Sequence, residues 1–71
     1  MSSASHHQLK SWPALNFMDA RTVANIIKKE NPDFQIFILL AGSPVTKDLK
    51  HGRVRLFTNM EEIVVIVPQE G

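Results

Sequence analysis

Lys47 and Asp48 lie at the middle of the run Gly42-Ser43-Pro44-Val45-Thr46-Lys47-Asp48-Leu49-Lys50, and the bond between them is where this chain meets chemistry most directly. The chemistry is that of a peptide bond offered to a nucleophile, not that of a nucleophile. Pro44 fixes one backbone angle, removes a donor and excludes a helix, and β-branched Val45 and Thr46 stiffen toward extended geometry. An extended, exposed segment with one unobstructed lysine has the shape a protease grips as an added strand. A lysine before the bond suits a deep pocket closed by a carboxylate, and its aliphatic stem also fits a more permissive cleft. Catalytic residues of other kinds are missing from the sequence: there is no Ser-His-Asp order, inward carboxylate pair or Gly-rich phosphate loop. His6 and His7 are adjacent but lack further ligands at useful spacing, so no metal and no cofactor is expected.

Next to this run stands Arg53-Val54-Arg55-Leu56-Phe57. Residues two apart on a strand project to one face, so Arg53 and Arg55 present two planar forks of donors on the same side. The irregular connection between Ala41 and Arg53 is near the length at which a structureless loop in a small domain asks for a functional reason.

The elements that must position these residues follow from patterning. Asp19 stands where a helix N-cap would, and Val23, Ile26 and Ile27 form an apolar stripe over about Ala20 to Glu30, with Arg21, Asn25, Lys28 and Lys29 on the wet side. Asn31-Pro32 ends that helix. Phe34 to Ala41 is strongly apolar apart from Gln35, which predicts a central strand buried on both faces or nearly so. Arg53 to Thr58 alternates, with Val54 and Leu56 toward the core and Arg53, Arg55 and Phe57 toward the loop. Val64 to Val67, ended by Pro68, predicts a third strand, with Glu61 and Glu62 in an exposed turn before it. Trp12 is assigned to the core.

The 71 residues suffice for one domain, expected over 11–71, after a disordered tail at 1–10 that has no apolar segment resembling a signal peptide or anchor. The compartment is left open. A formal net charge of +1 gives no global pull toward nucleic acid or an anionic membrane, and one Trp, four Phe and no Tyr make a poor stacking surface. With no cysteine, neither a disulfide nor a thiol nucleophile is possible.

Trp12-Pro13, the helix ended at Pro32, the loop Gly42 to Asp48 and the strand Arg53 to Phe57 together resemble the potato inhibitor I family of serine protease inhibitors, which includes eglin-like and barley chymotrypsin inhibitor-like members. The resemblance runs from Leu9 to Gly71. It implies an α+β fold: one helix on a small mixed sheet, with a long exposed protease-binding loop crossing between two parallel strands. It implies a non-enzymatic, monomeric inhibitor of trypsin-like and subtilisin-like proteases that acts as a substrate-like loop. In that role Lys47-Asp48 is the reactive bond, and Lys47 fills the primary pocket. Val45 and Thr46 make contacts before the bond, and Asp48 and Leu49 lie on the leaving side. The resemblance also places Arg53 and Arg55 under the loop, reaching Thr46 and Asp48. Departures from the family pattern are Phe17 where glycine is usual, then Lys50, His51, Gly52 and Glu70, which imply a looser far side of the loop. The alternative function is a non-inhibitory adaptor that binds another protein through the loop or the Phe37-Leu39 face.

Overall fold

The computed structural model describes residues 9–71. The α-helix α1 spans Ala20–Glu30, as the stripe predicts. Asp19 caps it: its Oδ2 accepts from the Arg21 and Thr22 amides at 3.1 and 3.2 Å, satisfying donors with no partner inside the first turn. At the other end the Asn31 side chain and amide both donate to the Ile27 carbonyl, at 3.1 and 2.9 Å. Ala20, Val23 and Ile27 are fully buried against Val54, Leu56 and Val64, and Trp12, Leu15, Met18, Ala24, Phe34 and Ile36 pack around this cluster. Trp12 is only half buried, and its indole N–H points to Glu30 Oε1 at 3.4 Å.

Three strands make the sheet, in the order β1 (Gln35–Leu40), β2 (Arg53–Thr58), β3 (Gln69–Glu70). β1 and β2 are parallel, paired from Gln35 with Arg53 to Leu40 with Thr58, and β2 and β3 are antiparallel, with Val54 opposite Glu70 and Arg55 opposite Gln69. Two sequence expectations are corrected here. The apolar run is the edge strand β1, not the central one, and Ile38 and Leu40 are 45% and 52% exposed. One helix of 11 residues is too short to cover the full length of the sheet, so hydrophobicity alone overstated the burial of its far end. The third strand also lies later than Val64–Val67. Val64 bridges Thr58 and the Val65 amide donates to Phe57 at 2.9 Å, but the ladder then breaks and resumes at Gln69. Pro68 has no N–H to give to it. β2 alternates as predicted, with Val54, Leu56 and Thr58 buried.

Residues 1–8 of the expected tail lie outside the described residues; Lys10, at its end, is tied to the far end of the chain. The Lys10 amide donates to Glu70 Oε1 at 3.0 Å and its carbonyl accepts from the Glu70 amide at 2.8 Å. Lys10 Nζ donates to Asn31 Oδ1 at 2.7 Å and stands 5.6 Å from the Phe34 ring centroid. Phe17, the departure before the helix, has φ +67° and is 72% exposed. That left-handed backbone is where glycine fits without strain, and Phe17 holds it while its amide donates to the Val64 carbonyl at 2.7 Å.

The crossover loop between β1 and β2

The loop begins and ends on left-handed glycines, Gly42 at φ +88° and Gly52 at φ +80°. Between β1 and β2 the chain must travel back to the start of the sheet, and these two residues make the reversals that a side chain would strain. The Ser43 amide and hydroxyl both donate to the Leu40 carbonyl, at 3.0 and 2.5 Å, closing the first turn. From Pro44 to Lys50 the backbone has no regular structure and every residue is exposed.

What holds this stretch comes from β2. Arg55 Nη1 donates to the Thr46 carbonyl at 3.0 Å and Nη2 to the Thr46 hydroxyl at 2.5 Å. Arg53 Nη2 donates to the Asp48 carbonyl at 2.7 Å, Nη1 approaches Asp48 Oδ2 at 3.4 Å, and Nε donates to the Gly71 carbonyl at 3.0 Å. Each guanidinium thus grips one residue through both main chain and side chain, and Lys47 projects between the two held neighbours. The Asp48 carboxylate lies below its ordinary range, first because of the Thr46 hydroxyl, then its own backbone amide, with the Arg53 charge contributing.

Beneath the loop is a cleft of about 540 Å³ lined by Leu9, Thr46, Asp48, Arg55, Phe57 and Gly71 among others. A second, of about 420 Å³, separates the loop from β1 and is lined by Phe37, Leu39, Pro44, Val45 and Lys50 with the two arginines. The loop is therefore propped off the sheet on side-chain posts instead of lying flat on it. This arrangement presents a peptide bond; it contains no nucleophile and base to attack one.

The structure brings Thr46, Asp48, Arg53 and Arg55 together in the register the resemblance implied, with Pro44, Val45, Lys47, Leu49 and Lys50 exposed. It also shows partners that sequence reasoning missed. The Gly52 amide donates to Glu70 Oε2 at 2.7 Å, so the far side of the loop carries a tie where a loosening was expected. The Gly71 carbonyl receives Arg53 from below. Neither is visible in a sequence pattern, because the contacts span 18 residues and depend on how the chain end returns along β2.

The Potato inhibitor I family pattern matches residues 4–71. Proteinase inhibitor I-B of Nicotiana tabacum is 46% identical over 61 residues, covering 84% of this chain and 57% of that protein. An inhibitor of trypsin and hageman factor from Cucurbita maxima is 39% identical over 61 residues, covering 86% of this chain and 90% of that one. The crystal structure of bitter gourd trypsin inhibitor superposes with a TM-score of 0.83 at 35% identity, covering 90% of this chain and 96% of the other. The chain spans about half the length of several curated relatives, the tobacco protein among them.

Proposed function

Because this chain belongs to the potato inhibitor I family, we propose that it inhibits serine proteases by presenting Lys47-Asp48 as a substrate that is bound well and consumed slowly. The observation that carries this reading is the double grip, Arg55 on Thr46 and Arg53 on Asp48, which fixes the residues on both sides of one exposed bond. The unit that acts is residues 11–71, completed by Lys10, and it works as a monomer.

Lys47 enters the primary pocket, where a carboxylate at the base pairs with its ammonium in trypsin-like enzymes. Subtilisin-like enzymes, with a more open cleft, accept the same side chain through its stem. That two of the similar proteins are named for trypsin supports ranking trypsin-like targets first. Val45 and Thr46 dock in extended form beside the enzyme's own strand. Gly42 and Ser43 set the loop's entry, and Leu49 and Lys50 contact the leaving-group side.

Ordering one flexible residue costs about 1–2 kcal/mol of backbone entropy. A loop already held by the two arginines has met much of that cost before the enzyme arrives, so more of the contact energy is expressed as affinity. The same grip explains slow turnover. When the enzyme's serine attacks the Lys47 carbonyl, the departing amine is that of Asp48, whose carbonyl and carboxylate remain held by Arg53. The amine stays beside the acyl-enzyme and reforms the bond faster than water completes hydrolysis.

Titrating trypsin, chymotrypsin and subtilisin with the protein tests this. Stoichiometric loss of trypsin or subtilisin activity with Lys47-Asp48 mostly intact is expected; rapid cutting without inhibition overturns it and favours an adaptor that uses the Phe37-Leu39 face.

A further inference from the structure

Glu70 is 2% exposed, yet it carries a carboxylate into the interior edge of the sheet. Its two oxygens take backbone amides from two distant segments: Oε1 from Lys10 at 3.0 Å and Oε2 from Gly52 at 2.7 Å. The Gly52 carbonyl is held as well, accepting from the Gln35 amide at 2.7 Å. The peptide groups on both sides of Gly52 are therefore fixed at the point where the loop becomes β2. Gly52 is the residue there that most needs fixing, because it sits at φ +80° and a Cβ would meet nothing nearer than Phe34 Cδ1 at 3.8 Å. Neither a side chain nor crowding restrains it, so its freedom has to be removed by hydrogen bonds.

Resting on the inhibitory reading above, we infer that Glu70 is a positioning residue for the binding loop: its carboxylate locks the loop's exit at Gly52 and ties it to Lys10. The arginines hold the residues flanking the bond, and Glu70 holds the hinge from which both arginines project, since Arg53 follows Gly52 directly. An apolar residue at 70 would leave two amides unpaired at a buried edge, whereas a carboxylate accepts both with charge-assisted bonds. A fixed exit keeps Asp48 and its new amine over the acyl-enzyme, so the intact form is favoured over the cut one.

The test compares amide hydrogen exchange in the free protein for Glu70→Val, Glu70→Gln and Val23→Ala, the last a core change on α1 that lowers stability away from the loop. The expected result for Glu70→Val is exchange about 10-fold or more faster at Gly52 and Lys10 than in Val23→Ala, because a lost charge-assisted bond is worth that factor or more. After prolonged incubation with trypsin, its ratio of intact to cut Lys47-Asp48 should also fall, while Val23→Ala keeps the parent ratio. Equal exchange at these amides in Glu70→Val and Val23→Ala overturns the inference. If Glu70→Val does not fold, Glu70→Gln decides: it retains one acceptor oxygen, and parent-like exchange at both Lys10 and Gly52 overturns the inference. The exchange readout needs no protease, so failure of the parent protein to inhibit trypsin overturns only the inhibitory reading.

Discussion

Replacing Arg55 by alanine separates loop order from fold. Arg55 projects from the loop-facing side of β2, opposite the buried Val54 and Leu56, and donates to Thr46 at 3.0 and 2.5 Å across a sequence separation of 9 residues. Two hydrogen bonds of this kind contribute together about 1–3 kcal/mol, each net value being near 1 kcal/mol and somewhat more for a charged donor. Solvent at this exposed site pulls the figure toward its lower half. If that energy is spent keeping Thr46 extended, its loss appears in binding as roughly a 10-fold rise in Ki, with 1.4 kcal/mol per factor of ten. Denaturant unfolding should show a loss of less than about 1 kcal/mol, since no core side chain is removed. Arg55→Lys should recover little of the affinity, because an ammonium lacks the planar fork that reaches both Thr46 oxygens. The assay is trypsin inhibition beside urea unfolding for each variant. The reasoning is refuted by a variant whose stability falls as much as its binding, or whose Ki equals that of the parent.

Lys47→Ala should weaken trypsin inhibition by about 100-fold, as a central anchor does, with unfolding free energy unchanged within about 0.5 kcal/mol; equal Ki values for the two proteins would remove Lys47 from the pocket. Phe17→Gly should stabilise the fold by about 1 kcal/mol, since a left-handed backbone costs a non-glycine residue about 1–2 kcal/mol and the lost ring is exposed; a lower thermal midpoint would contradict the strain argument. Gly52→Ala should cost about 1 kcal/mol through φ alone, and its unfolding curve reads this directly. Asp48 supplies a pH dependence. Its folded pKa is lowered, so its contribution is fully present above the unfolded value of about 4 and is lost as pH falls through the folded value. Loop amides should exchange faster below that range, after correction for intrinsic rates, and Asp48→Asn should flatten the change; a profile identical in both proteins would assign it elsewhere.

The parts of this molecule that sequence made legible are those governed by neighbours in the chain. Asp19, the Val23 and Ile27 stripe and Pro32 place α1 within local chemistry, and the alternation of Val54 and Leu56 with Arg53 and Arg55 assigns the two faces of β2. What escaped depended on the finite size of covering layers and on where the chain ends return. β1 looks central because five of its six residues are apolar, but a strand's place in a sheet is set by its partners, and one short helix leaves Ile38 and Leu40 in water. Glu70 read as an anomaly near the end of the chain; its meaning lies in amides that come from residues 10 and 52. Phe17 was legible as a departure and acquired its reason from a positive φ.

The bond at the centre of the crossover also divides the hydrophobic core. Residues before it carry Ala20, Val23 and Ile27 on α1 together with all of β1; residues after it carry Val54, Leu56 and Val64 with β2 and β3. Neither half owns a core. Severing Lys47-Asp48 leaves a two-piece molecule whose halves stay together only by burying each other's apolar faces and by the ladder from Gln35 with Arg53 to Leu40 with Thr58. For the severed form, folding is association, so its melting temperature rises with concentration while that of the unbroken chain does not. Dilution is thus a clock on the cut molecule: fragments that part lose their structure together, while the unbroken chain is indifferent to concentration.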